Sequence, residues 1–456
     1  MSDTIVALST PTGRSGIGVI RLSGGDALTI TAKLVQDSDF LPSPRMAHLR
    51  PLNDPETGEV IDEAIITFFK SPNSFTGEDV IEISCHGSPV LLRQVIDICL
   101  ANDARMADAG EFSLRALANG RMNLAEAEAI RDLIDAQTIG SSRQAIRQLR
   151  GEFSSQLQPI KDELLNVIVV LESALEFVED DLPEFQAENI KQKLAGIASE
   201  TGRLAATFKA GRLIREGLRV ALVGRPNVGK SSLFNALLGS DRAIVTDIAG
   251  TTRDQIHERF TIGDVPVSLI DTAGLRETTD AVEIIGVERS RAIIADSDIV
   301  IVLLDASEPV SAEDHEIIET VNGIEHVIAF NKIDKVEADV VDVALNQVAG
   351  IGSHVVALSA KTGDGLDELK RSIIRPFSAN EATNAGFLVT DTRHHDLLIR
   401  ATGEIEQSLK QMRERLSEEI VLIGLHNAIR YLGQITGETT TEDMLTRIFS
   451  TFCIGK

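Results

Sequence analysis

The chain has 456 residues, of which 69 are acidic and 44 basic, giving a net charge of −25 and a sequence pI of about 4.8. That balance favours solubility and opposes non-specific binding to nucleic acid or anionic membrane, so any RNA contact must be local or shared with a partner. At roughly 150 residues per domain about three domains are expected. Three cysteines, Cys85, Cys99 and Cys453, lie too far apart for a disulfide framework or a zinc cluster. No apolar run approaches the ~18 residues of a membrane span. With no signal peptide in the sequence, a cytoplasmic protein is expected.

Residues 1–120 alternate strand-like runs (Thr4 to Ser9, Ile17 to Leu22, Ala64 to Phe69, Val80 to Ser84) with helix-like ones (Asp26 to Val35, Val90 to Leu100), which reads as an α+β domain. The glycine-rich run Gly13-Arg14-Ser15-Gly16-Ile17-Gly18 fails as a dinucleotide fingerprint. Its spacing is wrong, and a strand follows it where a pyrophosphate site needs a helix N-terminus. It reads as a turn, structural or functional. His86 alone reads more readily as a hydrogen-bonded core histidine than as a catalytic base. From Leu124 glycine and proline become sparse, and helical spacing runs through Leu124 to Ile130, Leu164 to Leu171 and about Asn189 to Leu213. Pro183, after the acidic Glu179-Asp180-Asp181, marks a break between helices.

The apolar run Leu218 to Val223 predicts a buried strand leading into Gly224-Arg225-Pro226-Asn227-Val228-Gly229-Lys230-Ser231, which fits G-x-x-x-x-G-K-[ST]. Such a loop turns its N–H groups onto phosphate oxygens, Lys230 neutralises β/γ charge and the Ser231 hydroxyl ligates Mg²⁺. Ser232 opens helical spacing that continues to Leu238, so the anion also meets a helix N-terminus. Gly250-Thr251-Thr252-Arg253-Asp254 supplies a hydroxyl, Thr252, to close over the metal when a γ-phosphate is present. Strand Val265 to Ile270 delivers Asp271-Thr272-Ala273-Gly274, an aspartate for the metal and a glycine N–H for the γ-phosphate. Val327 to Phe330 leads into Asn331-Lys332-Ile333-Asp334, where the carboxylate accepts N1–H and the exocyclic amine of guanine; adenine lacks that donor pair. Val355 to Leu358 ends in Ser359-Ala360-Lys361, placed to support the base. These elements in this order identify a GTPase unit over about 217–378. For the charge that develops during hydrolysis, Arg276 is one candidate. Asn227 offers another, since its side-chain oxygen and the carbonyls of the Thr246 to Thr251 loop suit a monovalent cation if a second GTPase unit packs across.

Helical patterning returns in Leu397 to Leu416 and Val421 to Leu432. Neither helical segment is large enough to be a domain alone, so the two are expected to pack together with the GTPase unit inserted between them. The expected boundaries are 1–120, 121–216, 217–378 and 379–456. Cys453-Ile454-Gly455-Lys456 fits a prenylation box poorly, with glycine and a final lysine and no polybasic stretch. Cys453 reads as a free thiol, or as a buried hydrophobe at a helix end.

Taken together, Gly13 to Gly18 with Arg21-Leu22-Ser23-Gly24, Ser74-Phe75-Thr76-Gly77-Glu78-Asp79, Cys85-His86-Gly87, Gly110-Glu111-Phe112-Ser113, Leu124-Ala125-Glu126-Ala127-Glu128, the GTPase motifs and Cys453-Ile454-Gly455-Lys456 resemble the MnmE (TrmE) family of tRNA modification GTPases from end to end. The Gly-Thr-Thr-Arg-Asp element is shared with ribosome-assembly GTPases and does not decide; the N- and C-terminal motifs do.

The resemblance implies a multidomain α+β and α/β protein. Its parts are an N-terminal α+β folate-binding domain that dimerises, a discontinuous helical domain and an inserted Ras-like P-loop GTPase domain with a mostly parallel sheet. It implies a homodimer that joins the flavoprotein MnmG (GidA) in a heterotetramer. That assembly installs an aminomethyl or carboxymethylaminomethyl group at C5 of the wobble uridine (U34) of certain tRNAs. The one-carbon unit comes from 5,10-methylene- or 5-formyl-tetrahydrofolate. By the same resemblance Arg21, Glu82, Arg121 and Lys456 contact folate. Asn227, Thr246, Ile248 and Thr251 ligate K⁺, Ser231 and Thr252 ligate Mg²⁺, and Glu283 arranges the hydrolytic water. Cys453 is a candidate for the modification chemistry. The chain departs from the family pattern at Ser88, where a second glycine is usual, and at Arg121, a position often filled by lysine. Two other readings stay open: a non-enzymatic GTP switch in ribosome assembly, and a folate-dependent one-carbon transferase in which GTP only regulates.

Overall fold

The computed structural model describes residues 3–176, 184–240, 257–263, 265–271, 297–348, 354–375, 386–439 and 442–455. They fall into two compact units, one of Met1–Ile134, Gln148–Ala195 and Gly403–Lys456, the other of Asp135–Arg147 and Gly196–Thr402.

The first unit is built on a six-stranded sheet of β1 (Thr4–Leu8), β2 (Ser15–Ser23), β3 (Ala47–Asn53), β4 (Val60–Phe69), β5 (Val80–Gly87) and β6 (Ala104–Met106), in the order β3-β4-β5-β2-β1-β6. All neighbours are antiparallel except β1 and β6. Strand parity decides what each side chain meets. Along β5, Ile81, Ile83 and Cys85 point into a core shared with Ile20, Leu22 and Ile66, under the helices Ala27–Leu34 and Pro89–Ala101. Glu82, Ser84 and His86 therefore stand on the opposite face. Ser88 caps the second of these helices in extended conformation with Pro89 at the first helical position, so the departure from glycine is accommodated by a helix start.

The sequence reading missed β3, whose Arg50 and Pro51 break the alternation, and the three-residue β6. A strand with an internal proline survives at a sheet edge, which is where β3 lies.

The same unit carries helices from both sides of the nucleotide-binding segment. Glu418–Thr436 lies along Glu152–Glu176, tied by the ion pair of Lys161 with Glu438 and by His426 Nε2 to Glu172 Oε1 at 3.1 Å. Leu124 and Ala127 of the helix Leu124–Asp135 share a small core with Phe449 and Phe452. Pro183 lies outside the described residues.

The second unit holds a six-stranded sheet of β7 (Leu218–Val223), β8 (His257–Ile262), β9 (Val265–Asp271), β10 (Ile299–Asp305), β11 (His326–Asn331) and β12 (His354–Ala357), ordered β12-β11-β10-β7-β9-β8. Only β8 runs antiparallel. Every residue of β10 and β11 is buried, as expected of parallel strands covered on both faces. The helices Lys230–Ser240 and Leu366–Ile374 cover one face, through Leu233, Leu237, Leu369 and Ile373. Ala312–Thr320 and Ala338–Gln347 cover the other, through Ile318 and Ala344. This doubly wound order collects the loops after β7, β10, β11 and β12 at one edge, where such sheets bind ligands.

Candidate functional site

β7 ends at Val223, the loop turns through Asn227 at φ +65° and Gly229 at φ +101°, and a helix begins at Lys230. Gly229 is needed twice over: its φ is left-handed, and a Cβ there would collide with the Asn331 amide. That amide, 3% exposed, organises the site. Its Nδ2 donates to the Val228 carbonyl at 2.8 Å and its Oδ1 accepts from the Ala360 N–H at 2.9 Å, so one side chain joins the phosphate loop to the loop after β12. Lys332, at φ +71°, turns back and donates Nζ to the Asn227 carbonyl at 2.7 Å and to Asp305 Oδ2 at 2.5 Å. Burial opposes ionisation of Asp305, but the Lys332 ammonium and the Ser307 donors outweigh it and hold the carboxyl below its usual range.

The loops after β11 and β12 are equally ordered. Asp334 Oδ1 accepts from Ser359 Oγ at 2.7 Å, which keeps this exposed carboxyl below its usual range. The carboxylate retains lone pairs for two donors on one edge of a base. Ser359 is buried and fixed by its own N–H on the Asp364 carbonyl at 2.9 Å. At the other end, Lys230 Nζ donates to the carbonyls of Gly224 at 2.8 Å and Arg225 at 2.6 Å, which keeps the ammonium within the loop. Arg225 Nε bonds Asp314 Oδ1 at 2.7 Å, and its Nη2 reaches Glu308 at 3.2 Å. Asp314 also closes a capping box with Ser311, so the phosphate loop is pinned to the start of the helix Ala312–Thr320.

Ser231 and Ser232 occupy the first turn of the helix Lys230–Ser240. A single hydroxyl there suits Mg²⁺, which keeps most of its shell as water and phosphate oxygen. No group of three or more His, Cys, Asp or Glu that could hold a metal occurs among the described residues. Asp271 ends β9 in register with Leu222 of β7, beside the phosphate loop's strand. Thr246, Ile248, Thr251, Thr252, Thr272, Ala273, Gly274, Arg276, Glu283 and Lys456 lie outside the described residues.

A second site forms in the first unit. Arg21 and Glu82 face each other across β2 and β5, and the guanidinium bonds Glu82 Oε1 through Nε at 3.0 Å and Nη2 at 2.6 Å. Phe75 and Phe112 stand against its plane, 5.6 and 5.7 Å away. Its Nη1 donates to the Gly455 carbonyl at 3.1 Å. The segment around Gly455 is held on the N-terminal sheet by Ser9 Oγ and by a bridge between Ile454 and Ala109. Gly455 sits at φ +95° where a Cβ would press on Leu8 and Ser9. Glu82 and Arg121 line a cleft of about 250 Å³ with Arg45, Phe69, Asn73 and Phe75.

Cys453 is exposed two residues before Gly455, which decides for the free thiol over the buried hydrophobe. Desolvation pushes the buried Cys85 and Cys99 thiols up to about 12, so neither is a nucleophile near neutral pH. His86 is exposed, with Nδ1 on Asp62 Oδ1 at 2.7 Å, and the expectation of a core histidine is corrected by the parity of β5.

A family model described as the MnmE helical domain matches residues 124–453, and one described as the GTP-binding protein TrmE N-terminus matches residues 4–121. The tRNA modification GTPase MnmE of Koribacter versatilis is 44% identical over 460 residues, covering 100% of both chains. That of Aquifex aeolicus is 42% identical over 457 residues, again covering 100% of both. The chain belongs to the MnmE family of tRNA modification GTPases. Among solved structures, Aquifex aeolicus Era bound to GDP.AlF4- is 27% identical over 41% of this chain and 66% of that one, with a TM-score of 0.30.

Several residues of this MnmE-family site carry no motif. Asp305 announces itself only as a carboxylate closing the apolar run of β10, and Asp314 only as a capping-box acid. Arg45 gives no sequence signal at all. No helix among the described residues of this MnmE-family chain is long and apolar enough to cross a membrane.

Proposed function

We propose that this protein hydrolyses GTP to drive installation of an aminomethyl or carboxymethylaminomethyl group at C5 of the wobble uridine (U34) of certain tRNAs, together with the flavoprotein MnmG. The one-carbon unit comes from 5,10-methylene- or 5-formyl-tetrahydrofolate held in the N-terminal cleft. The reading rests on full-length kinship with tRNA modification GTPases. For the folate step, the observation that carries it is the meeting of Glu82 and Arg121 at one cleft, with Glu82 paired to the Arg21 that bonds the Gly455 carbonyl. A carboxylate beside aromatic rings suits the N–H groups of a pterin, and guanidinium suits the carboxylates of its tail.

In the GTPase unit, Asp334 selects guanine, and Val228, Gly229, Lys230, Ser231 and Ser232 hold the phosphates. Ser231 and Thr252 bind Mg²⁺, which neutralises charge on the phosphate oxygens. Asn227, Thr246, Ile248 and Thr251 bind K⁺, and Glu283 orients water. The protein acts as a cytoplasmic homodimer joined through residues 1–120, with helical parts 121–216 and 379–456 flanking the GTPase domain 217–378, and joins MnmG in a heterotetramer.

Mass spectrometry of wobble nucleosides from cells lacking the protein tests the reading. Loss of the C5 substituent is expected, with restoration by the wild-type gene. Unchanged wobble nucleosides would overturn it in favour of a ribosome-assembly switch.

A further inference from the structure

The cleft in the first unit is lined by two cations, while its Glu82 is already neutralised by Arg21. Arg21, Arg93, Arg105 and Arg115 each sit on a carboxylate within 3.1 Å. Arg45 and Arg121, which line the cleft, pair with no carboxylate among the described residues. In a chain of net charge −25, two guanidiniums left without acidic partners on one concave surface leave the anion to a ligand.

Arg45 is also held in place. Its backbone is left-handed at φ +62°, its N–H is bonded to the Phe68 carbonyl at 2.7 Å, and its Nη2 donates to the Asn73 carbonyl at 2.9 Å. Asn73 is itself on the cleft wall, so the side chain lies along the rim with most of its five donors uncommitted. Phe69 and Phe75 supply apolar wall to the same cleft.

We propose that Arg45 is a specificity residue that binds a carboxylate of the glutamate tail of a folate, so that the cleft distinguishes a pteroylglutamate from the same ring system without glutamate. This rests on the folate assignment of the preceding section. A planar fork matches a carboxylate with two parallel bonds, which an ammonium cannot reproduce.

The test is binding of 5-formyltetrahydrofolate and of 5-formyltetrahydropteroate, which lacks the glutamate, to the full-length protein by titration calorimetry. Wild type should prefer the glutamate-bearing compound. Arg45→Gln should weaken that compound by about fivefold, the upper scale of one exposed ion pair, and leave the pteroate unchanged. Arg45→Lys should recover part of the loss, and the preference should shrink in high salt. Equal weakening of both compounds in Arg45→Gln would show a merely structural role and overturn the inference. Equal affinity of wild type for both would overturn it while leaving the folate site standing. Binding of neither compound by wild type would remove the folate assignment and the inference with it.

Discussion

Ser359 Oγ donates to Asp334 Oδ1 at 2.7 Å, so the carboxylate proposed to read the base is steered by the loop after β12. Asp334→Asn keeps the size of the side chain and replaces an acceptor with a donor. Preference should pass from GTP to xanthosine triphosphate, whose extra keto oxygen accepts from the amide. Competition binding of the two nucleotides checks this, and undiminished guanine preference would take Asp334 out of base recognition.

Asn227 lies exposed at φ +65°, with its carbonyl engaged by Lys332. If its side-chain oxygen helps hold a monovalent cation against the phosphates, GTP turnover should be faster in potassium than in matched sodium buffer, because a cage of backbone oxygens suits the larger ion. Asn227→Ala should erase the difference. Equal rates for wild type in both salts would return attention to Arg276.

The pin between Arg225 and Asp314 should hold the phosphate loop in shape. The Asp314 carboxylate is 2% exposed and its partner 19%. Arg225→Ala should cost the second unit about 1.5–3 kcal/mol, the range for a hydrogen bond to a charged group. The KM for GTP should rise while kcat moves little. Calorimetric unfolding and steady-state kinetics measure the two effects, and a normal KM in a destabilised variant would limit the pin to stability.

Asp391 bonds Arg215 Nη1 through Oδ2 at 2.7 Å. Burial opposes its ionisation, but the side chains of His394 and Arg215 and the Arg393 N–H hold it well below the usual carboxylate range. A carboxyl whose pKa is depressed by folding contributes stability above its unfolded value of about 3.9, and loses it as pH falls toward the folded value. Arg215→Gln removes part of that depression, so acid unfolding followed by circular dichroism should begin at a higher pH. An unshifted transition would mean that the remaining contacts suffice.

Cys453→Ser should abolish tRNA modification and spare GTP hydrolysis, because the exposed thiol belongs to the first unit and the nucleotide site to the second. Nucleoside analysis alongside phosphate release separates the two activities. Loss of both in a folded variant would mark the thiol as structural.

Residues 224–231 and 331–334 were legible as loop motifs because each is contiguous and follows an apolar run that forms a buried strand. What joins those loops was not legible. Lys332 meeting Asp305, or Arg225 meeting Asp314, depends on strand order, which no local pattern prints. His86 was within reach of a closer reading, since Ile81, Ile83 and Cys85 alternate with Glu82, Ser84 and His86 and place the histidine opposite the core. Arg45 stands in an irregular segment before an edge strand broken by proline, where periodicity says nothing.

The bond from Arg21 to Gly455 spans 434 positions of sequence. During synthesis, Arg21 and Glu82 leave the ribosome long before Gly455 exists, and every nucleotide-binding loop is translated in the interval. The surroundings of the Arg21–Glu82 pair are thus finished late, so a truncation just short of residue 455 should yield a polypeptide that handles GTP normally yet lacks the carbonyl that Arg21 grips.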